Sequence, residues 1–168
     1  MAKTSAPVSL EEYFDTSYEP ECEYVAGELL PKALATTAHG ALQARLGYLR
    51  YRYEEAGLCR AYLSLSLQVR ERVIYIPDAC LLSPDNKEHG IVSTPPLLCI
   101  EVLSPSDRFG YMMKKLDELF CWGVPACWIL DPEDKKASVY DAEGLHPVPV
   151  TGVLRTGSFE LALTELWA

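Results

Sequence analysis

The chain has 168 residues, 49% of them hydrophobic, and a formal net charge of −9. One domain with a sizeable core is the default at this length. The negative balance excludes a broad basic nucleic-acid surface, though not a local basic patch or a phosphate contact bridged by a metal. The six cysteines (Cys22, Cys59, Cys80, Cys99, Cys121, Cys127) show no CxxC spacing. Reduced thiols inside strands and helices are therefore expected, rather than a zinc site. Residues 1–7 lack an apolar signal segment and no apolar run approaches transmembrane length, so a cytoplasmic protein without membrane contact is expected.

Residues 1–8 read as a loose arm and 9–168 as a single domain. Ser9-Leu10-Glu11-Glu12 is a capping box that opens a short helix through Asp15. Two short strands flank a turn at Ala26-Gly27, and period-two alternation puts Glu23 on the face of Val25. Thr36 or Thr37 caps a long helix over 38–56, ended by Gly57. Its apolar stripe is Leu42, Leu46, Leu49 and Tyr53, with His39 on the stripe and Arg45, Arg50 and Arg52 in solvent. Two strands over 60–69 and 73–82 follow, joined by a turn at 70–72, and then a polar loop over 83–95.

The run 97–103 is too short for a typical globular helix and is bounded by prolines, so it reads as a buried central strand. Asp107 is the predicted N-cap of a helix to Trp122, with Gly123 past its end. Met112, Leu116, Leu119 and Phe120 form its buried face. At 100° per residue Lys115 falls at the edge of that face, while Lys114 points to solvent. A strand over 126–130 ends at Asp131-Pro132, strands over 136–140 and 146–150 make a meander, and 159–168 packs back on the body.

Acids are embedded in apolar strand sequence at Asp78 and Glu101. An ionised carboxylate buried alone costs on the order of several kcal/mol, so Glu101 requires a cation, a proton or a metal. Carboxylates on neighbouring strands can share one hard divalent cation, magnesium or manganese rather than zinc. Such an ion activates water and stabilises phosphate charge, and a lysine adds a second positive group.

The blocks Glu23-Tyr24-Val25-Ala26-Gly27-Glu28, His39, Ile76-Pro77-Asp78, Ile100 to Arg108 (EVLSPSDR within it), Lys115, Gly123-Val124-Pro125, Trp128 and Asp131-Pro132 occur in this order. Together they resemble the PD-(D/E)xK restriction-endonuclease-like superfamily and, more narrowly, the bacterial Uma-two endonuclease family. The resemblance implies an α/β fold, a restriction-endonuclease-like mixed β-sheet core flanked by α-helices. It implies a Mg2+ (or Mn2+) site held by Asp78, Glu101, Glu23 and the main-chain carbonyl of Val102, with Lys115 and His39 as further site residues. It implies endonuclease action on nucleic acid, DNA first, by a homodimer. The superfamily's lysine stands two residues after the second acid. Here that position is Leu103, and Lys115 on the next helix is the match. Tyr111 stands where many relatives have an acid one turn before the lysine.

Plainer readings compete. Asp78 can be read as a strand-end acid bonding backbone amides, Glu101 as a buried partner of Lys115, Glu23 as a hairpin acid and His39 as a satisfied helix-start histidine. Asp131-Pro132 reads as a strand-ending turn, and Arg108 as a weak phosphate contact. The rival functional reading is a nuclease-fold domain that binds or regulates without turnover.

Overall fold

The computed structural model describes residues 7–34 and 36–167, the side chains of Leu49 and Arg50 excepted. Most of the predicted arm, and the predicted places of Leu49 and Arg50 on the long helix, lie outside the described residues. Helix α1 (Leu10–Asp15) starts as its capping box predicts, Ser9 Oγ accepting from the Glu12 amide at 3.0 Å. Strands β1 (Cys22–Val25) and β2 (Glu28–Pro31) form a hairpin. Its turn places Ala26 at φ 52° and Gly27 at φ 99°; a side chain at Gly27 would also meet Pro7 Cβ at 2.7 Å.

Helix α2 (Thr37–Glu55) is capped by Thr36, whose Oγ1 accepts from the His39 amide at 3.1 Å. Leu42, Leu46 and Tyr53 are buried, as their spacing requires. Arg45 and Arg52 are exposed, as expected, and each has a partner: Arg45 donates to the Leu166 carbonyl, and Arg52 pairs with Glu165 at 3.2 Å. Long basic side chains off the stripe here fasten the C-terminal segment to α2.

The two long strands predicted over 60–82 are four. Strands β3 (Arg60–Leu63) and β4 (Leu67–Arg70) replace the first; β5 (Val73–Tyr75) and β6 (Ala79–Leu82) replace the second. Ser64 takes φ 48° and Pro77 has no N–H to give a ladder, so pairing stops at 64–66 and 76–78. The two halves then serve different sheets. One runs β2-β1-β5-β4, while β6 and β3 enter a six-stranded sheet. Asp78 lies in the break.

Strand β7 (Leu98–Val102) has all five residues buried. It pairs antiparallel with β6 and parallel with β8 (Cys127–Asp131). Helix α3 (Phe109–Trp122) connects these parallel neighbours, and Gly123, at φ 121°, ends it. Asp107 does not cap α3, which begins after Arg108 without a side-chain cap. Asp107 Oδ2 instead accepts from the Ser104 amide, three residues earlier, at 2.6 Å and fastens the turn between them.

Strands β9 (Lys136–Asp141) and β10 (Gly144–Val148) complete the six-stranded sheet, in the order β10-β9-β8-β7-β6-β3. The C-terminal segment contains a hairpin that periodicity left unread, β11 (Val153–Thr156) with β12 (Phe159–Ala162), followed by the short α4 (Leu163–Leu166). Leu154, Phe159, Leu161, Leu163 and Leu166 enter the core beside Leu42 and Leu46.

Alternation along β7 decides what each face carries. Leu98, Ile100 and Val102 pack with Leu42, Leu46 and Trp128 on the α2 side. Cys99 packs with Leu116 and Leu119 of α3. Glu101, two residues on from Cys99, is therefore directed toward α3. Burying Leu116 and Leu119 contributes about 1.5–3 kcal/mol each and fixes α3 over this face. The cysteines are free thiols, all buried but the exposed Cys121. Among the described residues, no helix is long and apolar enough to cross a membrane.

Candidate active site

Glu23, His39, Asp78, Glu101 and Lys115 are all buried, none more than 7% exposed. They arrive from β1, the first turn of α2, the break before β6, the centre of the six-stranded sheet, and the buried edge of α3. The last placement follows from helical geometry: Lys115 is buried, whereas Lys114, one residue earlier, is exposed and reaches Glu118 at 4.0 Å.

Two adjoining clusters result. In the first, Lys115 Nζ lies 2.6 Å from Glu23 Oε1 and 2.7 Å from Glu101 Oε1. Its third side faces the Tyr75 ring, 5.6 Å from the centroid. Glu23 Oε1 also accepts from the Ile76 amide at 2.8 Å, and Glu23 Oε2 accepts from the Tyr111 hydroxyl at 2.5 Å. Both oxygens of Glu23 are thus held by protein donors.

The second cluster centres on Asp78. Its Oδ2 accepts from the Val102 amide at 2.7 Å, with His39 Nε2 at 3.5 Å. Its Oδ1 lies 3.1 Å from Lys32 Nζ and 3.5 Å from Gln43 Nε2. The Val102 bond joins the clusters, because Val102 follows Glu101 on β7.

Three carboxylates face two ammonium groups here, and their protonation reflects the imbalance. Burial works to raise Asp78, but the His39 hydrogen bond, the Lys32 charge and the Val102 amide outweigh it and hold the carboxyl down to about 2. Glu101 goes the other way. Burial, with the charges of Asp78 and Glu23, pushes it up to about 7 against the pull of Lys115. For Lys115, burial opposes the charge, yet Glu101 and Glu23 keep the ammonium well above the ordinary lysine value.

The structure brings the sequence-derived candidates together and adds Lys32, Gln43 and Tyr111 as contacts. Lys32 and Asp78 are 46 residues apart, and Tyr111 and Glu23 are 88 apart. No local pattern links such pairs. For Lys32 the usable signal is the hairpin: Lys32 follows β2, and its amide donates to the Glu21 carbonyl at 2.8 Å, next to the strand that carries Glu23. Arg108 is exposed at the start of α3, and Asp131 Oδ1 accepts from the Glu133 and Asp134 amides at 3.1 Å each, a strand-ending turn.

Among the described residues no group of three or more His, Cys, Asp or Glu side chains is arranged to hold an ion. The candidate donors for a divalent cation are Glu101, the carbonyl of Val102 and Asp78, whose two oxygens, like those of Glu23, are engaged by protein donors. Their fit rests on Glu101 Oε1. That buried oxygen makes an ion contact with Lys115 but accepts no aligned hydrogen bond, and the cluster lacks one positive charge. A hard cation meets both deficits.

The fold is that of a known class of nuclease-like α/β proteins. The crystal structure of a protein described as a putative nuclease belonging to DUF820, from Anabaena variabilis ATCC 29413, superposes with a TM-score of 0.83 at 21% identity, over 96% of this chain and 98% of that one. The chain itself belongs to the Uma2 family, described as "putative restriction endonuclease", whose family model matches residues 10–168. No curated protein matches it in sequence.

Proposed function

We propose that this chain is a metal-dependent endonuclease that hydrolyses phosphodiester bonds in nucleic acid, DNA first. The observation that carries this reading is the buried trio Asp78, Glu101 and Lys115 with one positive charge missing, on a chain of the Uma2 family. Asp78, Glu101 and the Val102 carbonyl would hold Mg2+ or Mn2+. Bound there, the ion would lower the pKa of a water and neutralise charge on the phosphate.

The chain's own residues have separate tasks. The Val102 amide fixes one Asp78 oxygen, so the carboxylate keeps its orientation whatever the other oxygen binds. Lys115 holds Glu101 in place and supplies a fixed positive field at the site of developing charge. The family resemblance makes Glu23 a ligand too; its oxygens are engaged by Lys115, Ile76 and Tyr111. Its task in this proposal is to position Lys115. His39, with Nδ1 buried and unpartnered, stands within reach of Asp78 to orient a water or a phosphate oxygen. Two such chains would cut two strands, and the homodimer belongs to this proposal.

One observation favours the rival reading, a nuclease fold kept for binding alone: both Asp78 oxygens already have protein partners. A single experiment separates the two. Supercoiled and single-stranded DNA are incubated with pure protein and Mg2+ or Mn2+, beside Asp78→Ala, with metal binding followed by calorimetry. The nuclease reading expects metal-dependent cleavage by wild type and at least about a hundredfold less by the variant. Absence of both cleavage and metal binding in wild type sinks it.

A further inference from the structure

Lys32 is the feature that the nuclease reading leaves without a task. Its Nζ donates to the Ile76 carbonyl at 2.8 Å and lies 3.1 Å from Asp78 Oδ1. Asp78 has three other close neighbours, of which Gln43 Nε2, an uncharged group on α2, lies 3.5 Å from the same Oδ1. The Val102 amide is backbone inside β7, and His39 is buried in the capped first turn of α2. Lys32 brings the closer contact to Oδ1, at 3.1 Å, and a charge, on a long flexible stem from a residue beyond the end of β2. Its side chain is 20% exposed, against 5% for that of Asp78.

Lys32 therefore occupies Asp78 Oδ1, the oxygen that the Val102 amide does not hold. A divalent cation bound through that oxygen would meet the ammonium head-on, two like charges within a few ångströms in a site that screens poorly. Both cannot keep the oxygen. The stem can swing away, because the side chain is already partly exposed and has only the Ile76 carbonyl and Asp78 to release.

We propose that Lys32 is the resident counter-ion of Asp78, a latch that holds the carboxylate while no metal is bound and that a divalent cation must displace. The proposal rests on Asp78 as a metal ligand and deepens that reading: the latch neutralises Asp78 in the apo protein and lowers the site's apparent affinity for metal.

Isothermal titration of Mg2+ and Mn2+ into wild type, Lys32→Ala, Lys32→Met and Lys32→Arg tests it without any turnover, with the exposed Lys114→Met as the control for general charge. The expected result is at least about tenfold tighter binding in Lys32→Met and Lys32→Ala, since displacement no longer opposes the ion. Lys32→Arg and Lys114→Met should stay near wild type. The metal-free Lys32→Met protein should also melt below wild type, and saturating metal should abolish that difference. Lys32→Met keeps the apolar stem and serves if Lys32→Ala fails to fold. Equal affinities in wild type and Lys32→Met, or weaker binding in the variant, overturn the latch and leave the metal reading standing. Tightening by Lys114→Met as large as that by Lys32→Met also overturns it. No metal binding by any of the proteins overturns both the latch and the metal reading.

Discussion

Asp78 Oδ2 accepts a 2.7 Å hydrogen bond from the main-chain amide of Val102. The acid that leaves the break between the two sheets thereby caps the strand that carries Glu101. This one bond gives Asp78 a structural task beside its proposed chemical one, and the two tasks separate by substitution.

Asp78→Asn keeps an oxygen for the Val102 amide and loses the charge, whereas Asp78→Ala leaves that buried amide unpaired. Urea denaturation should place the alanine variant about 1.5–3 kcal/mol below wild type and the asparagine variant distinctly closer. Both should lose cleavage and metal binding. An asparagine variant as unstable as the alanine one contradicts the capping assignment.

Lys115 and Lys114 should differ sharply. Removing Lys115 strands Glu23 and Glu101 in the core, and breaking a buried pair in this way costs about 3–5 kcal/mol. Removing the exposed Lys114 costs less than about 1 kcal/mol. Lys115→Met should therefore melt far below wild type and lack cleavage, while Lys114→Met should retain both. Equal effects on cleavage remove Lys115 from the site.

Stability should respond to pH with two opposite signs. Asp78, held at about 2 against an ordinary 3.8, contributes stability that is present above pH 3.8 and is lost as pH falls toward 2. Glu101 is raised from 4.5 to about 7, so between those values the folded chain binds the extra proton. Folding stability should consequently decline as pH rises from 4.5 to 7, then level off. Glu101→Gln should flatten that decline. A series of urea melts across pH 2–8 reads both limbs, and a Glu101→Gln profile parallel to wild type contradicts the assignment.

Tyr111 donates to Glu23 Oε2 at 2.5 Å. Tyr111→Phe should cost about 1.5–3 kcal/mol, the range for a hydrogen bond to a charged group. Cleavage, if positioning of Lys115 survives through the Ile76 amide, should fall by less than about tenfold. A complete loss would mean that the tyrosine touches the reaction itself.

Much of the fold was legible because it is local. The capping signal at Ser9, the end of α3 at Gly123 and the apolar run that becomes β7 each depend on neighbours a few residues away. The choice of Lys115 over Lys114 needs only 100° per residue and the position of Leu119. Asp107 misled because a good capping residue has more than one nearby amide to bind, and it took that of Ser104. The 153–162 hairpin went unread although its four-residue strands are as long as β1 and β2, which the turn at Ala26-Gly27 marked.

The sequence by itself determined that Asp78, Glu101 and Lys115 are buried charges, because apolar neighbours at strand and helix spacing leave them nowhere else to point. Only the tertiary structure decided which cation answers which acid. The split of two strands between two sheets puts Asp78 at a junction, and there the hairpin end delivers Lys32, α2 delivers His39, and α3 delivers Lys115 and Tyr111. Periodicity reports which face of an element is buried. It carries no information on what another element, dozens of residues away, brings to that face.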